Sequence, residues 1–213
     1  MQDFTDYFEA ITNDRRANPR DDLATLLANA EIDGQPLPPF ERTGYYTIVA
    51  TAGHDTTSSS TAAAMWALAT VPDLLDRVRS DLTLVPALIE ESIRWATPVK
   101  TFMRSAAQDT ELRGRKLKTD HWLMLCYASG NRDEDVFENP DVFDIDRKPN
   151  RQLAFGNGAH LCLGQHLARM EMRILYEELL PKLKSVRLNG EAKLSESFFV
   201  NGLKTLPIAF ELA

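Results

Sequence analysis

Phe155-Gly156-Asn157-Gly158-Ala159-His160-Leu161-Cys162-Leu163-Gly164 is the stretch on which the reading of this sequence turns. It leads into a helical segment, Gly164 to Leu180, that carries Leu167, Met170 and Ile174 on one face and stops at Pro181. A thiol is therefore expected at the entry to a helix, where the positive end of the dipole and the free N–H groups favour a thiolate. Glycines at Gly156, Gly158 and Gly164 let the backbone approach a flat partner closely and take conformations closed to other residues. Phe155 can shield one side of the sulfur. Taken alone, the pattern has a plainer explanation: a glycine-rich turn with an incidental cysteine.

Outward from this loop, Asn131 to Gln152 is polar, proline-punctuated and aperiodic, and a loop of that length inside a compact domain is usually functional. Ahead of it lie β-like runs at Thr101 to Ala106, Glu111 to Lys118 and His121 to Tyr127, with Arg113-Gly114 as a turn. Within the last, Trp122 to Tyr127 reads as a buried strand, in which Cys126 is a small core residue. Helices are expected from Pro86 to Trp95, ended by Pro98, and after Pro72 with Leu74, Leu75 and Val78. From Phe40 to Thr70 there is no proline and much Ala, Thr and Ser. That run of roughly 30 residues makes a helix of ~45 Å. It is apolar nearly all round, so burial is expected.

Nearer the start, Phe4, Tyr7, Phe8 and Ile11 recur at helical spacing, and Asp21-Asp22 open a second helix with Leu23, Leu26, Leu27 and Ala30. Gly34 to Pro39 is a loop, and the tail holds two hairpin signals, Asn189-Gly190 and Asn201-Gly202. The class is mainly α with small β-sheets (α+β), and residues 1–213 are expected to form one domain.

The 24 basic and 31 acidic residues leave a formal charge of −7, without the basic stripe of a nucleic-acid binder. No stretch approaches ~20 apolar residues in a row, so no membrane span is expected. Met1-Gln2-Asp3-Phe4 lacks the basic and apolar regions of a signal peptide, which points to the cytoplasm. Two cysteines, Cys126 and Cys162, do not make a disulfide framework.

Two more constellations stand out. Ala52-Gly53-His54-Asp55-Thr56-Thr57 falls in the middle of the long helix, where these residue types are locally unhelpful. A Thr56 hydroxyl can bond the Ala52 carbonyl, loosening the helix and opening a groove for water, and Asp55 adds a titratable group. Ordinary helix packing is the alternative, with His54 a packing residue. Glu91-Ser92-Ile93-Arg94 sets opposite charges three residues apart on one helix face. As a surface salt bridge the pair would contribute at most ~1 kcal/mol.

Phe155, Gly158, Cys162 and Gly164 meet every fixed position of Phe-x-x-Gly-x-x-x-Cys-x-Gly, and in this the chain resembles the haem-binding signature of the cytochromes P450. Ala52 to Thr56 is similar to that family's oxygen-activation motif, and Glu91 with Arg94 to its Glu-x-x-Arg element. The resemblance implies the cytochrome P450 fold in its C-terminal portion, from the helices before the long central helix through the haem-ligand loop to the terminal hairpin. It implies haem b (iron protoporphyrin IX), with Cys162 as the thiolate ligand of the iron. His160 and Arg104 would pair with the propionates. Phe155, Gly156, Gly164, Gly53 and Ala52 would line the cofactor, Gly53 leaving room over its face. Thr56 would stabilise activated oxygen while Asp55 relays protons from solvent. Glu91 and Arg94 would lock to Arg147, in Phe143-Asp144-Ile145-Asp146-Arg147, and hold the cysteine loop in register. Val49, Val99, Thr101, Phe102 and Val200 are the candidates for substrate contact, with Phe199 beside them. Arg169 and Arg173 either meet an acidic electron donor or form a solvated face.

Gly53 to Ser60 and Cys162 to Arg169 carry a further likeness, to bacterial soluble members that hydroxylate terpene alcohols and cyclic hydrocarbons. It implies a monooxygenase that inserts one oxygen atom of O2 into an apolar small molecule, terpenoid or cyclic or aromatic hydrocarbon. Electrons would come from a ferredoxin-type donor with its reductase; neither nucleic acid nor membrane is an expected partner. Family members are much longer, and the N-terminal half has no counterpart here. A second reading is therefore a truncated haem-binding or non-catalytic fragment lacking the distal substrate half. A third, peroxide-driven chemistry, is opposed by the intact Asp55-Thr56 pair. Lys118-Thr119-Asp120-His121 departs from the family's glycine-centred strand turn.

Overall fold

A computed structural model describes residues 2–213. The chain divides into two compact units, residues 1–54 and 55–213, with the long helix α3 (Pro39–Thr70) continuous from one into the other.

In the first unit, α1 (Gln2–Ala17) and α2 (Leu23–Ala28) precede a small hairpin of β1 (Glu31–Ile32) and β2 (Gln35–Pro36). Asp33 and Gly34, both at positive φ, make its turn, so the expected loop over Gly34 to Pro39 in fact begins as the second half of a hairpin. Asp22 caps α2 by accepting the Thr25 N–H at 2.7 Å. That bond, reinforced by Arg15, pulls its carboxyl pKa down to about 2. Phe8 is buried and stacks on Tyr46 with 5.0 Å between ring centroids, while Phe4 and Tyr7 on the same helix are exposed. Arg42, 3% exposed, is held by Glu9 at 2.7 Å.

In the second unit, α4 (Leu74–Ser80) and α5 (Val85–Ala96) follow α3 closely. Two antiparallel pairs come next: β3 (Thr101–Ser105) with β6 (Trp122–Cys126), enclosing β4 (Thr110–Leu112) with β5 (Arg115–Leu117). Arg113 and Gly114, at φ 47 and 78, form the turn expected there. A short α6 (Tyr127–Gly130) leads into an extended loop, and α7 (Gln165–Leu179) follows the cysteine. The tail pairs β7 (Leu183–Leu188) with β10 (Ile208–Leu212) around β8 (Lys193–Leu194) and β9 (Leu203–Thr205). The tail hairpins are thus nested. Asn189-Gly190 joins two strands that do not pair with each other, because Asn189 N–H bonds the Pro207 carbonyl and Gly190 packs on Pro207.

The core of this unit gathers Ala64, Ala67 and Leu68 of α3, Leu74 and Val78 of α4, Leu88, Ile89 and Ile93 of α5, and Met172 and Tyr176 of α7. Burial of the leucine, isoleucine, valine and methionine side chains among these supplies about 1.5–3 kcal/mol each before chain entropy is counted. Three expectations change here. Burial of the long helix is interrupted: Arg42 and Tyr46 near its start and Ser60 to Leu68 toward its end include buried positions, but Ile48 to Asp55 between them are exposed. On α7 the buried residues are Met172 and Tyr176, whereas Leu167, Met170 and Ile174 are each more than half exposed. Cys126 does sit on a strand but is exposed: among the described residues β6 pairs with β3 alone, and Trp122 and Met124 on the same face are exposed as well. Among the described residues no helix is long and apolar enough to cross a membrane.

Candidate functional site

The site is built on α5, which is buried nearly all round and ends where Thr97 turns to φ 40 before Pro98. Glu91 and Arg94 are both fully buried and meet through two bonds of 2.7 and 2.8 Å. Burying two charges is tolerable only if their remaining bonding capacity is used. Here it is. Glu91 also accepts the Asp144 N–H at 2.9 Å and the Asn150 amide at 3.0 Å, with Arg147 at 3.4 Å. Arg94 donates to the carbonyls of Asn131 (2.7 Å), Pro140 (2.8 Å) and Val142 (3.2 Å). Arg147 donates to those of Glu138, Asn139 and Val142, and the Phe137 ring lies 5.3 Å from one guanidinium and 5.7 Å from the other. The aperiodic loop is ordered by side chains in place of a ladder.

Asn131 went unread in the sequence. It is fully buried, donates to the Thr97 hydroxyl at 2.8 Å and accepts the Leu153 N–H at 2.7 Å, joining the end of α5 to the run that enters the cysteine loop. An asparagine opening a polar loop carries no local sign of this, because its partners are far apart in sequence. Arg132 beside it donates to the carbonyls of Arg94 and Trp95 and lies over the Trp95 ring; burial and the neighbouring Arg94 lower its pKa.

Within the cysteine loop, Phe155 accepts the Cys162 N–H at 2.9 Å, and Gly158 accepts that of Leu161 at 3.0 Å. Gly156 and Gly158 sit at φ 72 and 70, conformations that side chains resist. Gly164 has an ordinary φ of −85 and no described atom within 4 Å of where its Cβ would stand, so nothing in the described chain requires a glycine there. Cys162 is exposed at the head of α7, as is His160 two residues earlier.

On β3, Arg104 bonds its neighbour's carbonyl at 2.8 Å and lies 6.0 Å from the Phe102 ring centroid. Phe102 meets Phe199 edge-on at 5.5 Å, and Val99 bridges to Val200, so four of the candidate substrate-contact residues come together. Thr101 lies on the same strand opposite Cys126. Gly202, just beyond, approaches α3 so closely that a Cβ would lie 3.1 Å from the Ser59 Cβ. On α3, Thr56 is half-buried and Asp55 exposed, and the helix runs unbroken through both, with Ser60 donating to the Thr56 carbonyl at 3.1 Å. Ala52, Gly53 and Val49 lie on the part of α3 that belongs to the first unit. Arg169 and Arg173 have acidic partners in the chain itself, Glu90 and Glu177.

The donor set fits haem. Among the described residues no three His, Cys, Asp or Glu side chains gather to cage a bare ion. The lone thiol of Cys162 at the head of α7 suits an iron whose other ligands come from a macrocycle, and the Arg104 guanidinium suits a propionate.

Comparison with known proteins agrees. The family model described as Cytochrome P450 matches residues 1–205. Cytochrome P450-terp of Pseudomonas sp is 53% identical over 210 residues, which cover 99% of this chain and 49% of that protein. Linalool 8-monooxygenase of Pseudomonas putida is 38% identical over 208 residues, covering 98% and 51%. The crystal structure of CYP108D1 from Novosphingobium aromaticivorans superposes with a TM-score of 0.96 at 51% identity, covering all of this chain and 52% of that one. The chain spans about half the length of the relatives it matches.

Proposed function

The chain belongs to the cytochrome P450 family, and from that premise we propose that it carries the thiolate-ligand and proton-delivery half of a haem monooxygenase. Haem, when bound, supplies the activation of O2 and the transfer of one oxygen atom to substrate, with the balance RH + O2 + 2 e− + 2 H+ → ROH + H2O. The observation that carries the reading is the exposed Cys162 at the head of α7, in a loop tied through Leu153 and Asn131 to the buried Glu91–Arg94 pair.

Cys162 holds the iron through its sulfur, and Phe155 shields that sulfur from one side. His160 and Arg104 bind the propionates. Gly156 and Gly164 would give haem close access to backbone, and Ala52 and Gly53 are assigned to the cofactor by their resemblance alone. The Thr56 hydroxyl holds a proton where oxygen binds, and exposed Asp55 exchanges protons with solvent. Glu91, Arg94 and Arg147 keep the loop before the cysteine in register. Phe102, Val99 and Val200, with Thr101 beside them on the same strand, offer a largely apolar surface to substrate, which suits a terpenoid or cyclic or aromatic hydrocarbon; Val49 is assigned to substrate by its resemblance alone. The resemblance to soluble relatives supports a ferredoxin-type donor with its reductase, a cytoplasmic setting and a single haem-thiolate domain that includes residues 1–213.

The test is the CO-difference spectrum of the reduced, haem-reconstituted chain. A red-shifted Soret band lost in Cys162→Ala supports thiolate ligation; the same band persisting in that variant refutes it. Thr56→Ala should release peroxide at the expense of product during NADH-driven turnover, and unchanged coupling removes the role given to Thr56. Coverage of only about half of each relative favours a second reading, a haem-binding fragment without turnover. Haem uptake with no product under any reductase supply selects it.

A further inference from the structure

α5 presents two consecutive carboxylates, and they serve different loops. Glu91 faces Arg94, Arg147 and the extended loop. Glu90 instead receives Arg169 of α7 through Nε and Nη2, at 2.5 and 3.1 Å, and the Gln152 amide at 3.3 Å. Gln152 in turn accepts the Ala154 N–H at 2.7 Å. Arg169 lies with its guanidinium carbon 4.4 Å from the centroid of the Phe155 ring, steadied by the Gln165 side-chain oxygen at 3.1 Å. The Phe155 carbonyl accepts the Cys162 N–H at 2.9 Å. A continuous run of contacts therefore leads from Glu90 to the cysteine amide.

The ion pair is 32% and 30% exposed on its two sides, so its attraction is screened and contributes little as charge alone. Its worth is geometric. A planar guanidinium held by two oxygens of one carboxylate can lie flat on an aromatic face, which an ammonium at the same place cannot do.

We propose that Arg169, aimed by Glu90, is a positioning residue for the cysteine loop: it pins the Phe155 ring and, through the Phe155 carbonyl, the amide of Cys162. Its consequence for the iron ligand rests on the haem-thiolate reading; the clamp itself requires no haem, and this separates the two in experiment.

The first measurement is amide hydrogen exchange in the haem-free chain. Arg169→Gln should speed exchange at Cys162 about tenfold, the scale of losing one well-stacked cation–π contact, and leave the α7 amides around Tyr176 unchanged. Arg169→Lys, with the charge but no planar fork, should not restore protection. In a Phe155→Leu background Arg169→Gln should add nothing. Unchanged exchange in Arg169→Gln, full rescue by lysine, or additive effects in the double variant would each overturn the clamp. If Arg169→Gln does not fold, Glu90→Gln carries the same expectation, because it releases the guanidinium without removing it.

The second measurement is made on the haem-loaded chain. Arg169→Gln should raise the fraction of CO complex that lacks the red-shifted band, while Arg173→Gln, an exposed residue paired with Glu177 one turn along α7, should not. Equal spectra for the two variants count against the clamp. A wild-type chain that takes up no haem ends the haem reading and leaves the exchange result to decide the clamp.

Discussion

Replacing Arg94 by methionine tests whether the buried charge network is what orders the loop before the cysteine. The side chain keeps an apolar stem but is shorter and loses five donors. Glu91 would lose its two short bonds while keeping Asp144 N–H, the Asn150 amide and Arg147 at 3.4 Å. The Val142 carbonyl keeps Arg147 at 3.1 Å, but the carbonyls of Asn131 and Pro140 lose the donors they had at 2.7 and 2.8 Å. The buried Asn131 carbonyl and the part-buried Pro140 carbonyl, left short of a donor, cost about 1 kcal/mol each. A buried carboxylate stripped of its main partner brings the total to about 3–5 kcal/mol, the partial cover from Arg147 keeping it inside that range. Urea unfolding followed by far-ultraviolet circular dichroism reads this directly. With a slope of about 2 kcal/mol per molar, the midpoint should fall by roughly 1.5–2.5 M at unchanged slope. Adding Glu91→Gln to Arg94→Met should recover part of the loss, since it removes the uncompensated charge. Arg77→Gln, which breaks an exposed pair with Asp146, should leave the midpoint where it was. A fall smaller than about 0.5 M for Arg94→Met, or a further fall on adding Glu91→Gln, would refute the reasoning.

Three further outcomes follow from single contacts. Tyr176, fully buried, bonds the Thr61 carbonyl at 2.6 Å. Tyr176→Phe should cost about 1 kcal/mol in the same urea titration, and no more, because that carbonyl keeps its helical partner. Burial pushes the Tyr176 phenol up, so ultraviolet titration should show it ionising only as the chain unfolds in alkali. Asp22 has its pKa pulled down to about 2 by the Thr25 N–H and Arg15. Its capping contribution is therefore complete above the unfolded carboxyl pKa of ~4 and lost as pH falls through about 2. The Thr25 amide resonance should shift over that window in the wild type and stay still in Asp22→Asn. Gly202→Ala forces a methyl against Ser59 and should destabilise by about 1–3 kcal/mol. Ser59→Ala should return more than half of that loss by clearing the hydroxyl; no recovery would mean the strain lies elsewhere.

Local chemistry determined much of this protein without help from the fold. The Phe155–Gly164 stretch specified a thiol at a helix head because glycine spacing and the helical period are both written in consecutive residues. The long helix was legible for the same reason: a proline-free run between Pro39 and Pro72 has few alternatives, and the helix spans Pro39–Thr70. The Arg113-Gly114 turn and the Asp22 cap likewise depend on neighbours only. Glu91 and Arg94 could be paired from their spacing, but whether the pair was a surface bridge or a buried one could not. Tertiary structure decided that, by bringing the carbonyls of residues 131, 140 and 142 around a guanidinium 37 or more positions earlier in the chain. The same holds for Asn131, for the Glu90–Arg169–Phe155 contacts and for the exposure of Cys126. An apolar pattern says which face of an element is able to be buried. Whether it is buried depends on what the chain lays against it, and among the described residues β6 and the Leu167 face of α7 are left more than half exposed at Trp122, Met124, Leu167, Met170 and Ile174.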